Sequence, residues 1–65
     1  MWTAVYVAPR KETAEQIKNM LTQEGFLVKM QPLTKNIKNE NFYEVMVPEA
    51  EAVDAQVTLA HRGIE

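Results

Sequence analysis

The amino-acid sequence predicts an α+β fold in the order β-α-β-β-α: a ferredoxin-like architecture truncated by its fourth strand. Three observations lead there. Apolar and polar residues alternate in three short segments, two further segments carry apolar residues at helical spacing, and Pro or Gly punctuates almost every junction. A parallel pair joined through a helix, followed by a short connection to a third strand, gives a sheet in the order 1-3-2 with both helices on one face. The whole chain, residues 1–65, reads as one domain.

Trp2 to Ala8 alternates, with Thr3, Val5 and Val7 opposed to Trp2, Ala4, Tyr6 and Ala8. Pro9 stops that ladder and suits the first position of a helix, where its missing N–H is no loss. From Arg10 to Glu24, Ala14, Ile17 and Leu21 recur at helical spacing, and Gly25 is the expected stop. Phe26 to Gln31 alternates again, and Pro32 predicts an edge position for this second strand. Residues 34–41 are polar and read as a loop. Phe42 to Val47 is the third strand, Pro48 opens the second helix, and Gly63 ends it. Ala50, Val53, Val57 and Ala60 are the expected buried stripe of that helix.

A chain of 65 residues offsets its ordering entropy only narrowly. It has no Cys, so disulfides, thiolate metal sites and thiol nucleophiles are excluded. Association with a further chain is the remaining source of stability, and a homo-oligomer, foremost a dimer, is expected. The N-terminus shows no basic leader or cleavage site, and the apolar run Val5 to Pro9 falls far short of the ~20 residues of a membrane span. A cytoplasmic protein without membrane contact is the expectation.

The first strand carries no Lys and no Pro before its end, the devices that usually guard a sheet edge. The sheet face without helices would carry Trp2, Tyr6, Phe42 and Met46 beside Lys29, Gln31 and Glu44, an apolar patch rimmed by charge of the kind that marks an interface. The opposite facing of the first strand would instead pack Trp2 in the core.

Few residues carry chemistry. Ser and Cys are lacking, which removes the hydrolase triads. His61, the only His, belongs to the last turn of the second helix, where its charge complements the dipole. Glu49, Glu51 and Asp54 complement the other end of that dipole and lack the glycine and spacing of a calcium loop, so neither metal nor cofactor is expected. Arg10 and Lys11 stand at the uncapped start of the first helix, where cations oppose the dipole and a small anion would satisfy both them and the free amides. With no glycine-rich loop, and with Glu12 and Glu15 compensating the charge locally, a solvated surface is the simpler account of them.

Charge divides along the chain. Six basic residues face three acidic ones up to Lys38, and one faces six thereafter, for a net charge of −2. Only Lys29 lies on the predicted aromatic face, so nucleic acid is not an expected partner. The opposed halves suit head-to-tail contact between subunits.

Met1-Trp2-Thr3-Ala4-Val5-Tyr6-Val7-Ala8-Pro9, Glu24-Gly25-Phe26-Leu27-Val28-Lys29 and Val45-Met46-Val47-Pro48-Glu49-Ala50-Glu51-Ala52 carry a resemblance covering nearly the whole chain outside residues 34–41. Here the chain resembles the prokaryotic signal-transducing protein family, a domain of unknown function with a PII-like, ferredoxin-like fold. The resemblance implies that fold and a regulatory role. Some members bear a glutamate decarboxylase label, but this chain has no recognisable Schiff-base lysine context. PII proteins themselves bind ATP and 2-oxoglutarate with a long loop and a complete double βαβ fold, whereas the present chain has one short polar loop. The expectation is a non-enzymatic regulatory or signal-transducing module that self-associates and binds a small anion at Arg10 and Lys11. The alternative is a purely structural interaction module that docks a larger protein through the open sheet face.

Overall fold

Where the chain's two periodicities meet its prolines and glycines, the elements begin and end. The computed structural model describes residues 1–33 and 42–64. It contains β1 (Trp2–Ala8), α1 (Lys11–Gln23), β2 (Lys29–Pro32), β3 (Tyr43–Pro48), a 3-10 turn (Glu49–Glu51) and α2 (Ala52–His61). The strands form one sheet in the order β1-β3-β2, with β3 antiparallel to both neighbours. This is the predicted α+β topology, a truncated ferredoxin-like fold. The predicted loop, residues 34–41, lies outside the described residues.

Both helices end by the same device. Gly25, at φ +99°, follows α1, with Gly25 N–H donating to Thr22 C=O (3.0 Å) and Phe26 N–H to Leu21 C=O (3.0 Å). Gly63, at φ +76°, repeats the pattern after α2, with Ile64 N–H donating to Leu59 C=O (2.9 Å). Each is a Schellman motif, in which a left-handed residue turns the chain so that carbonyls of the last turn regain donors. Phe26 and Ile64 then fold back against the core.

Helix α1 buries the stripe its spacing predicts, Ala14, Ile17 and Leu21. These pack with Val45 and Val47 of β3, Val5 and Ala8 of β1, and Ala55 and Leu59 of α2. No polar or charged residue is buried among the described residues, so the core is held by apolar burial and packing.

Four expectations are corrected. Pro9 does not open α1: Arg10 is its N-cap in extended conformation (φ −143°, ψ 158°), and Ala14 N–H makes the first helical bond to Arg10 C=O (3.1 Å). Strand β2 begins at Lys29 rather than Phe26, because the Schellman turn uses Phe26 and its neighbours to bring the chain back to the sheet. Helix α2 buries Ala55 and Leu59, not Ala50, Val53, Val57 and Ala60. The 3-10 turn after Pro48 holds about three residues per turn rather than 3.6, so it shifts the phase of everything that follows.

The fourth correction concerns β1. Its register against β3 runs Trp2↔Pro48, Thr3↔Val47 and Ala4↔Met46, then jumps to Tyr6↔Val45, Val7↔Glu44 and Ala8↔Tyr43. Val5 is therefore the extra residue of a β-bulge, and the simple alternation breaks there. Tyr6 opposes the fully buried Val45 and packs against the core on the helix side, so it does not belong to the open face. Val7, opposite Glu44 and 47% exposed, takes its place.

Candidate interaction surface

The face of the sheet without helices is set by the pleat of β3. Val45 and Val47 point into the core, so Glu44 and Met46 between them point out. Ala4 of β1 and Lys29 of β2 flank Met46 from either side, and Trp2 stands opposite Pro48. Trp2 is on the open side, 36% exposed, with the Lys29 ammonium 5.0 Å from its ring centroid. That contact bridges the two outer strands above β3. A cation over an indole face contributes about 0.5–1 kcal/mol at an exposed site. Beside it the Gln31 amide donates to Glu44 Oε1 at 3.3 Å. Trp2 and Met46 therefore share this face, with Val7 in the position expected for Tyr6, while Phe42 precedes β3.

Arg10 and Lys11 come together with Glu12 and with Tyr43 of β3 around a cleft of about 370 Å³ at the start of α1. No side chain caps this helix end. Both cations are exposed, and the Glu12 carboxylate shares their cleft. Tyr43 joins them because β3 begins beside the turn into α1, a neighbourhood that depends on strand order and is invisible in local spacing.

A third feature was not legible in the sequence. Six of the ten residues of α2 are apolar, yet only Ala55 and Leu59 are buried. Val53 is 74% exposed and Val57 49%, and with Ala52, Gln56 and Ala60 they line a hollow of about 510 Å³. Gln56 and Ala60 also line a groove of about 260 Å³ with Val5 of β1, Leu59 and Ile64. Gln56 and Ala60 are therefore on the flank of α2 nearest β1, and Val53 and Val57 continue the apolar surface round the helix, away from the sheet.

The remaining polar contacts hold the frame. Glu51 Oε1 accepts from Leu27 N–H at 3.2 Å, tying the approach to β2 to the start of α2. Arg62 and Glu24, the residues that close α2 and α1, form an exposed ion pair. Exposed pairs of this kind contribute little. His61 is exposed in the last turn of α2. Among the described residues, no group of three or more His, Asp or Glu is placed to hold a metal ion, and no helix is long and apolar enough to cross a membrane.

Searches against protein-family models, curated proteins and solved structures return no match to this chain.

Proposed function

We propose that this chain is a small non-catalytic regulatory or signal-transducing module that works by association, first with copies of itself. The observation that carries this reading is the apolar surface the fold leaves unpartnered, on the open side of the sheet and along α2 beside β1. Both helices lie on one side, while the other presents Trp2, Val7 and Met46 under Lys29. Apolar area of this kind, rimmed by charge, is what partner surfaces use. A cytoplasmic setting fits a chain without cysteine.

In this reading Arg10 and Lys11 receive a small anion at the uncapped start of α1. Titration of nucleotides and dicarboxylates by calorimetry tests that part. Saturable binding that disappears in the Arg10→Ala/Lys11→Ala variant is the expected result, and binding unchanged in that variant removes those residues from the role.

The Trp2–Lys29 contact favours a second reading, in which the open face docks a larger protein and no small ligand is involved. Native mass spectra at several concentrations separate the two. Dimers or higher species that grow with concentration support self-association, and a monomer throughout leaves the face to a different partner.

A further inference from the structure

The two edges of the sheet are not alike. Strand β2 is four residues long and carries Lys29 and Pro32, a cation and a residue without a donor, both of which discourage pairing. Strand β1 is seven residues long and contains neither. Its backbone groups also face outward in a defined pattern. Pro48 has no N–H, and Glu49 N–H donates to Met1 C=O (2.8 Å), which makes Trp2 and Pro48 a non-hydrogen-bonded pair. By the alternation of an antiparallel ladder, Trp2 and Ala4 turn their N–H and C=O groups away from β3, toward the open edge. Above that edge lies the bare flank of α2. At about 100° per residue, Gln56, Ala60, Val53 and Val57 follow one another outward from the buried Leu59, and the groove with Val5 joins them to β1.

We infer that the β1 edge and the Gln56–Ala60 flank of α2 form one continuous surface whose occupant is a second copy of this chain, related by a two-fold axis normal to the sheet. The inference rests on the self-association proposed above and names the surface that performs it. Three features favour a second copy over an unrelated chain. Antiparallel pairing of β1 with itself is self-complementary, and an axis normal to the sheet keeps both helix layers on the same side, so the two α2 flanks meet. A two-fold also brings each residue near its own counterpart, where a charge would meet a like charge. Neither the β1 segment WTAVYVA nor the flank of Ala52, Val53, Gln56, Val57 and Ala60 contains a charged residue, although a quarter of the chain is charged.

The third feature is closure. Pairing β1 with β1 consumes the edge that carries neither Lys nor Pro and, among the described residues, leaves a six-stranded sheet bounded by two β2 strands that carry both. The assembly stops at two rather than growing into a filament. The strand is about 23 Å long at ~3.3 Å per residue, which sets a small interface. The Val5 bulge kinks the strand at its middle and leaves the outward groups of Trp2 and Ala4 available.

Sedimentation equilibrium of the full chain and three variants tests this. Ala60→Glu places a carboxylate on the exposed flank beside β1, in a helix that tolerates it. Ala4→Pro removes one outward N–H and leaves the β1–β3 ladder intact. Met46→Gln alters the open face. The expected result is a wild-type dimer whose dissociation constant rises at least about tenfold in Ala60→Glu and in Ala4→Pro, with an unchanged circular dichroism spectrum, and stays within about twofold in Met46→Gln. If Ala4→Pro fails to fold, Ala60→Glu decides. A dimer indifferent to Ala60→Glu overturns the assigned surface and leaves self-association standing. A wild-type chain that stays monomeric overturns self-association itself.

Discussion

Residues whose side chains do least decide where this chain turns. Gly25 stands at φ +99°, and a Cβ built there meets nothing within 4 Å. The cost of replacing it is therefore purely conformational: an L-residue in the left-handed region loses about 1–2 kcal/mol. Gly25→Ala should lower stability by that amount in urea titration while leaving the monomer's fold unchanged by NMR. The sequence marks both Gly25 and Gly63 because a glycine just beyond a run of helical spacing has few other uses. Val5 carries no such mark. A bulge residue of β-branched type looks like any strand residue, and only the pairing with Met46 and Val45 shows that two residues of β1 oppose one of β3. The facing of Tyr6 was for that reason beyond local reasoning.

Among the elements, α1 and α2 teach opposite lessons about hydrophobic periodicity. Helix α1 has a single apolar stripe with polar residues around it, so Ala14, Ile17 and Leu21 could be read directly. Helix α2 has two, and periodicity alone does not say which one the sheet takes. The choice falls to the 3-10 turn, whose tighter winding brings Ala55 and Leu59 over the sheet. Leu21 is the most exacting position in α1, fully buried and the acceptor of the Phe26 N–H bond. Leu21→Ala should cost about 2–5 kcal/mol through the cavity it leaves. A domain of this length holds only about 3–10 kcal/mol at ~0.05–0.15 kcal/mol per residue, so thermal melting of the variant should begin near ambient temperature. A shift of only a few degrees would mean the neighbouring Ile17 and Met20 collapse into the space.

For the whole molecule, strand order and the single-sided helix layer were legible because Pro32 and the short β2–β3 connection constrain the topology strongly. The cleft that gathers Arg10, Lys11, Glu12 and Tyr43 was only half legible, since Tyr43 enters through tertiary proximity. The proposed dimer has a thermodynamic signature that needs no variant. Association of the folded state alone raises the apparent melting temperature with concentration by mass action. The midpoint should climb steadily across a hundredfold range of about 5–500 μM protein. A flat response would place the molecule among domains that are stable as monomers.

The position of Trp2 has one more consequence. It is the only indole in the chain, and it sits beneath a lysine ammonium on the open side of the sheet. Its emission is thus an intrinsic optical probe of that face, free of any label. A molecule that covers the sheet would displace water and the Lys29 cation from the ring together, moving the spectrum to the blue and changing its quantum yield. A partner seated elsewhere would leave both nearly as they are. The protein thus carries its own reporter on the side of the sheet that the helices leave bare.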